Sequence, residues 1–412
     1  EGEGGLGNDA FDSRELSARL QWAGAGSEAS LLARWNDSDT GIPRSGFTPT
    51  PRRHIDWQEL EWGVPWSHVG AAWQLDGTLS QLRYDAGFRD PDDPFGFTAE
   101  DTDSRVDRAR AVATRRLGGG AAGLAGWWAG GAEWERQTVS DRSVFGPSLD
   151  GARQRTAAAF TQLHLEGGRW AADLGARHDD NDVFGGATSP RAGVVVAAGS
   201  RLCLRASYGQ AFRAPALGEL FFPFFGNRDL RPERGRSAEV GAQWSTGPWS
   251  LDVAAFDNRQ RDLIDFDFTT SRDVNVGRAR SHGVDGELRF QQQVWELRLG
   301  GMRLHAEDRS SGRPLRNRPR DTAHLVAVAR PGRSTLALTG SWVGERVNAH
   351  PETFADTRNP GYFTLDVAGS WQLVRSVAPY ARLLNALDRE HEPVLGFPAP
   401  GRTLIAGVRL EW

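Results

Sequence analysis

Four phenylalanines, Phe221, Phe222, Phe224 and Phe225, crowd into five positions of a polar stretch, with Asn227 and Arg228 directly after them. Clustered aromatics in a segment that faces water often mark a binding surface for a flat or apolar ligand, so these six residues are the first candidates for ligand contact. The alternative is an aromatic girdle or simple loop packing. Acidic residues gather elsewhere, at Asp37 and Asp39 and again at Asp90, Asp92, Asp93, Glu100, Asp101 and Asp103. Their hard oxygens suit Ca²⁺, yet no twelve-residue calcium loop is complete, and a solvated acidic loop explains the same pattern. The nine histidines have no metal-site spacing, and His-Glu-x-x-His, Gly-x-Ser-x-Gly and the phosphate-binding loop are all missing. Carboxylate pairs such as Asp179-Asp180 are common in polar loops. The lone Cys203 excludes an intramolecular disulfide and a multi-cysteine zinc or redox centre. These residues point to a binding protein with no covalent cofactor, and not to an enzyme.

Whatever positions them is not a helical membrane domain. Hydrophobic residues make up 39% of the 412, and no apolar run approaches the roughly 18–20 residues a membrane helix needs. A β-barrel escapes that test, because only every second residue of its strands must be apolar. The chain holds 16 Trp and 20 Phe against one Met and one Cys, an enrichment that suits aromatic girdles at two bilayer interfaces. Net charge is −4, with arginines interspersed among carboxylates, so there is no electrostatic footprint for nucleic acid. No composition break divides residues 1–412, and they read as one continuous architecture.

Turn-like clusters alternate in character along the chain. Short ones occur at Gly24-Ala25-Gly26, Pro65-Trp66-Ser67, Gly118-Gly119-Gly120, Gly167-Gly168, Gly199-Ser200, Thr246-Gly247-Pro248, Gln291-Gln292-Gln293, Pro331-Gly332 and Val374-Arg375-Ser376. Long polar ones fall near 37–53, 89–103, 138–153, 180–188, 212–234, 265–273, 307–317, 346–360 and 387–399. Short turns at one end and long loops at the other are the plan of an outer-membrane barrel. The segments between them alternate with period two. Trp170, Ala172, Leu174 and Ala176 share one face against Asp173, Gly175 and Arg177, and Leu404, Ala406, Val408, Leu410 and Trp412 oppose Thr403, Gly407, Arg409 and Glu411. Charge recurring at mid-strand on the second face calls for a wet lumen.

The reading is therefore an all-β fold, a large antiparallel transmembrane β-barrel with strands of about 10–14 residues. About nineteen strands are expected where bacterial barrels have even numbers, which implies about three further amino-terminal strands, of an expected 22, ahead of this chain. No signal peptide opens the sequence, so it is expected to have been removed or to lie upstream.

The stretch Ala206-Ser-Tyr-Gly-Gln-Ala-Phe-Arg-Ala-Pro-Ala-Leu-Gly-Glu-Leu220, followed by Gly226-Asn-Arg-Asp-Leu-Arg-Pro-Glu233, resembles the most recognisable barrel segment of TonB-dependent receptors. Asp262-Leu-Ile-Asp-Phe266 with Asn275 to Asp285, Leu384-Asn-Ala-Leu-Asp-Arg389, and Gly396 to Arg402 running on to Trp412 resemble the same family in the same order. Pro215 and Pro232 also have a physical reading, since each ends ladder pairing at the top of a strand and frames a long outer loop. Within the family, Arg177-His-Asp-Asp-Asn181, Asp262 to Phe266 and the ending at Arg402 look most like vitamin B12 (cobalamin) receptors. Ferric-siderophore receptors share much of the pattern.

The resemblance implies residence in the outer membrane of a Gram-negative-type bacterium, contact with outer-membrane lipid, and a monomer. It implies Ca²⁺ near the outer loops, with Asp9, Asp37 and Asp39 as the nearest positions, and it makes Trp412 the aromatic assembly signal of the last strand. It also implies an amino-terminal plug domain that the energy-transducing TonB protein pulls on. Nothing in residues 1–30 looks like a plug, so that domain is expected to be missing from this chain or encoded separately. The function expected is an uptake receptor barrel for cobalamin or a similar metal chelate. A passive porin and a soluble β-repeat protein are the competing classes.

Overall fold

The computed structural model describes residues 7–410 except 46–47, 94–97, 119–123, 145, 224 and 268–269. Among these residues nineteen strands belong to one sheet. Two small hairpins sit in connections, Arg44–Ser45 with Thr48–Pro49 and Arg346–Ala349 with Asp356–Asn359. One helix occurs there, the five-residue Leu217–Phe221. The expected all-β, meandering organisation is present. The chain divides into two compact units, one of Glu1–Ala192, Gly209–Gly235 and Arg261–Gly277, the other of Gly193–Tyr208, Arg236–Gln260 and Arg278–Trp412.

In the first unit each strand pairs antiparallel with its neighbour in sequence, from Phe11–Gly24 to Trp170–Asn181. The opening hairpin shows how local chemistry sets register. Gly24 pairs with Ser27 across Ala25 and Gly26, whose φ values are +49° and +76°. Two successive positive φ values make a type I′ turn, whose twist matches that of the flanking strands. In the second unit the order from Arg272–Gln292 through Trp295–Asp308, Asp321–Ala329, Ser334–Val343, Tyr362–Trp371 and Val377–Leu384 to Thr403–Leu410 is again nearest-neighbour and antiparallel.

The turn reading fails at Pro65-Trp66-Ser67. These residues lie inside the strand His54–Val69, and the turn follows at 70–72. Pro65 pairs with Thr78 on one side, while on the other the ladder passes from Ala29↔Trp66 to Leu32↔Gly63 with the two pairs between them missing. Proline has no N–H to donate, so it interrupts one ladder locally and the strand runs on.

Several predicted loops are also strand. Residues 98–103 belong to Thr98–Leu117, and the 138–153 stretch is the end of Ala125–Ser143 and the start of Gly146–Gly167. The 180–188 loop shrinks likewise to three residues between Trp170–Asn181 and Gly185–Ala197. Polar composition suggested loop, but it does not end a strand whose backbone still finds a partner. Asp85 pairs with Asp103 and Asp101 with Arg142, and side chains reinforce the ladders through Arg89–Asp101 at 2.5 Å, Arg83–Asp103 at 3.1 Å and Thr102–Asp141 at 2.8 Å. Strands here reach 18–22 residues, well above the expected 10–14 and far beyond the roughly 9–11 that cross a bilayer at a tilt.

The hydrophobic residues are mostly not inside. Among the described residues the buried apolar side chains are few and small, five of the nine being alanine, whereas Leu20, Trp22, Leu79, Leu174, Leu299 and Trp295 are among many large ones that lie open. The opposite face carries ion pairs. In Trp170–Asn181, Trp170 and Leu174 are exposed on one side while Arg177 reaches Glu133 at 3.0 Å and Asp179 at 2.8 Å on the other. Trp295–Asp308 repeats the pattern, with Trp295, Leu297 and Leu299 exposed and Glu296 held by Arg298 and, at 3.3 Å, by Arg330. A sheet that turns leucine and tryptophan outward needs a solvent less polar than water on that side.

That requirement is testable by substitution. Leu174→Arg in the full protein in lipid vesicles is expected to cost about 2–4 kcal/mol in urea unfolding, and His178→Arg, four residues nearer the polar end of the same face, about 0–1 kcal/mol. Equal costs at the two positions would rule out a lipid contact for this face.

Candidate functional site

The connection between Leu202–Arg213 and Glu233–Thr246 is the long one that the composition announced, and it is packed as a unit. Leu217 and Leu220 of the short helix bury with Leu230 and Pro215 into a small apolar core. Glu219 reaches back to accept the Ala216 N–H at 2.7 Å, covering one of the open donors at the helix start. Its carboxylate also takes the Arg213 guanidinium at 3.0 Å, and Arg213 continues to Glu233 at 2.7 Å. Glu233 in turn accepts the Ile264 N–H at 2.9 Å, which ties this loop to the hairpin around Asp262–Asn275.

The same hairpin supplies a second clasp. Asn275 accepts the Arg231 N–H at 2.9 Å and donates to the carbonyls of Arg231 at 2.8 Å and Asp262 at 2.7 Å. Arg231 adds a 3.2 Å contact to the Asp262 carboxylate. Asn227 donates to the Asp273 carbonyl at 2.9 Å, and its own side-chain oxygen accepts the Asp229 N–H at 3.0 Å. Asn227, chosen from sequence as a ligand contact, is thus spent on the loop's own backbone.

The aromatic residues form the surface of this packed loop. Phe222 and Phe225 stack with centroids 4.6 Å apart and planes 7° from parallel, and Phe266 meets Phe225 edge-on at 5.8 Å. Phe225 is 39% exposed. Arg228 lies over the Phe221 ring at 5.0 Å, a cation–π arrangement that presents positive charge beside the stack. Phe222 with Phe225 and Phe221 with Arg228 thus form two contact pairs within the same loop, while Phe224 lies outside the described residues. Sequence reasoning missed Phe266, forty residues from the cluster, because only the clasped hairpin brings it near.

In the other unit the remaining motifs also grip one another. Asn385, with φ +47°, donates to the carbonyls of Arg389 and Pro400 at 3.0 and 3.3 Å, and accepts the Arg389 N–H at 2.9 Å. Asp388 accepts the Arg402 N–H at 2.8 Å and its guanidinium at 3.2 Å, and these bonds hold the Asp388 carboxyl below the usual carboxylate range. Arg346, 6% exposed and without a carboxylate partner among the described residues, donates to the carbonyls of Glu392 and Pro393 at 2.6 Å each. Histidines scattered in sequence include one facing pair, His282 and His305, with ring centroids 5.1 Å apart.

The calcium candidates do not assemble into a cage. Asp37 and Asp39 share one face of Ser27–Gly41, where Asp39 pairs with Asp12 and Asp56 in the flanking strands, while Asp9 lies exposed ahead of Phe11–Gly24. No group of three or more His, Cys, Asp or Glu among the described residues is arranged to hold a metal ion. Trp412 lies outside the described residues.

A family model, TonB dependent receptor-like, beta-barrel, matches residues 3–386. The chain belongs to this family. The vitamin B12 transporter BtuB of Vibrio cholerae serotype O1 is 28% identical over 291 residues, covering 69% of this chain and 46% of that protein. BtuB of Vibrio vulnificus is 24% identical over 268 residues, covering 64% and 43%. The chain thus spans under half the length of the curated relatives it matches. Among solved structures, the siderophore receptor PirA from Acinetobacter baumannii superposes with a TM-score of 0.83 at 13% identity, over 99% of this chain and 72% of that one. The copper transporter OprC gives 0.83 at 16%, over 97% and 72%, and a mutant of the ferric enterobactin receptor PfeA from Pseudomonas aeruginosa gives 0.84 at 15%, over 100% and 71%. At those identities the likeness is one of fold. The family comprises outer-membrane receptor and transporter barrels, not enzymes. Its strands carry an exposed apolar face and an ion-paired face.

Two measurements check the clasps. Arg213→Ala leaves Glu219 and Glu233 without their shared cation, and is expected to speed amide exchange across 214–232 about tenfold, on the order of 1–2 kcal/mol of local opening, with little change in the strands. At the other clasp, a carboxylate whose folded pKa is depressed stabilises above its ordinary pKa and loses that effect as pH falls through the lower folded value. Protection of 385–402 should accordingly hold steady from pH 7 to about pH 5 and decline only below about pH 4, and Asp388→Asn should abolish that acid-side decline.

Proposed function

We propose that this chain is the barrel of an outer-membrane receptor that captures a large ring-bearing metal chelate at its outer loops and passes it through the lumen, with cobalamin the preferred ligand. The observation that carries the reading is the stacked Phe222–Phe225 pair with Phe266 against its edge and Arg228 over the neighbouring Phe221. Such a platform offers a corrin or an aromatic chelator a flat apolar face, with fixed positive charge beside it for anionic groups. Curated relatives in sequence include transporters of vitamin B12, which supports cobalamin. A ferric siderophore is the second reading, favoured by the same aromatic group and by structural neighbours that are siderophore receptors.

Uptake against a gradient requires energy, so the proposal includes TonB acting through a plug domain. It also includes residence of a monomer in the outer membrane, with lipid against the exposed apolar face. Calcium enters at Asp37 and Asp39; Asp39 lies across the ladder from Asp12 and Asp56, carboxylates that a divalent ion would draw together, while Asp37 faces Arg14 and Gln58.

Equilibrium binding to the complete receptor tests the ligand. Cyanocobalamin is expected to bind saturably and more tightly than a ferric catecholate siderophore, and Phe225→Ala to weaken it about tenfold, roughly 1.4 kcal/mol. The same titration with EDTA and with added Ca²⁺ reads out the metal. Tighter binding of the siderophore would reverse the ligand assignment. A large, steady, ligand-independent conductance in planar bilayers, with no saturable chelate binding, would instead make the protein a porin.

A further inference from the structure

On the lipid face of the first unit, the strands Ala125–Ser143 and Gly146–Gly167 change character within one pair of residues. Trp134 pairs with Ala109 on one side and Ala157 on the other, and Ala132 with Ala111 and Ala159. Trp134, Ala132, Ala109 and Ala111 line an open apolar groove of about 530 Å³ with Leu79 and Trp66. Two residues farther along the same face, roughly 7 Å on, Arg136 pairs with Arg155, and the next pair is Thr138 with Arg153.

Three arginines thus share one face of adjacent strands, directly beyond the apolar groove. Like charges directly opposite each other on a ladder repel, and no carboxylate among the described residues forms an ion pair with any of the three. The Arg136 Nε is buried with no hydrogen-bond partner. Asp107, across from Arg136, is already engaged by Arg105 and Gln81, each at 2.8 Å. Of the carboxylates on the neighbouring strand and its turn, Asp182 accepts the backbone N–H of Arg155 at 2.8 Å and Asp180 pairs across from Ala157.

We propose that Arg136, Arg153 and Arg155 bind the phosphate groups of a lipid headgroup, with its acyl chains lying along the apolar groove below. Guanidiniums take phosphate oxygens in bidentate fashion, and one bridging phosphate would remove the repulsion between Arg136 and Arg155 while supplying the missing partner of the buried Nε. The low position of the trio, immediately above Trp134, sets the headgroup at the level of the interface. This inference rests on the lipid-facing reading of the barrel and adds to it a specific headgroup site, distinct from the chelate platform.

The test uses the full receptor in phosphatidylcholine nanodiscs, with bis-phosphorylated lipid A as probe and native mass spectrometry as readout. Wild type is expected to retain lipid A at least tenfold more strongly than the Arg136→Gln/Arg153→Gln/Arg155→Gln variant, and dephosphorylated lipid A is expected to bind like that variant. Arg83→Gln, which removes a charge already paired with Asp103 on the same face, should leave retention unchanged. If the triple variant does not fold, Arg153→Gln alone, at an exposed strand position, should still lower retention severalfold. Equal retention by variant and wild type, or of both lipid forms, would overturn the proposal. Displacement by equimolar inorganic phosphate would overturn the lipid assignment in favour of a plain anion site. Failure of wild type to enter nanodiscs at all would refute the barrel reading itself, an outcome distinct from a barrel indifferent to lipid A.

Discussion

The constraint on which everything else depends is that each backbone N–H and C=O must find its partner in the neighbouring strand. A chain whose buried apolar residues are few and mostly small cannot be held by a conventional core. It is held by ladders, and wherever water is excluded an unpaired backbone group costs several kcal/mol because nothing replaces the missing bond. Strand ends are therefore decided by where pairing runs out. That is why Thr98–Leu117 and Gly146–Gly167 continue through sequence rich in Asp, Arg and Ser, and why Pro65 interrupts one ladder without ending its strand.

With the backbone satisfied, the side chains are free to specialise by face. On the polar face, arginines and carboxylates pair repeatedly, as in Arg110, Glu133, Arg177 and Asp179 in one unit and Arg205, Glu239 and Asp252 in the other. Individually the more exposed of these pairs contribute little, about 0–1 kcal/mol, whereas Asp179, 3% exposed, relies on Arg177 to offset its burial. The apolar face has the opposite character, and the place where charge on it is least well balanced is the arginine trio beyond the apolar groove.

The loops follow a different logic from the wall. Residues that make the chain recognisable as a TonB-dependent receptor barrel turn out to hold loop backbone: Arg213, Glu219, Glu233, Asn227 and Asn275 around the aromatic platform, and Asn385, Asp388 and Arg402 around the last connections. Such residues are general to a scaffold, because any ligand needs its loops fixed. The phenylalanine rings they support hold none of that backbone and form the surface proposed to meet the ligand.

The sequence by itself determined the antiparallel all-β class, the two-faced strands and most of the short turns, because period-two alternation and positive-φ turn residues are local properties. It also located the aromatic cluster at 221–225 and the motifs of the family. Strand ends were not legible at 98–103 and 138–153, where polar residues look the same in a loop and in a ladder beyond the bilayer. Nor were the partners of Arg213, the arrival of Phe266 beside Phe225, or the meeting of Arg136 with Arg153 and Arg155. Each of these joins residues from different strands or loops, and contact across a sheet is set by register, which exists only once the whole ladder has formed.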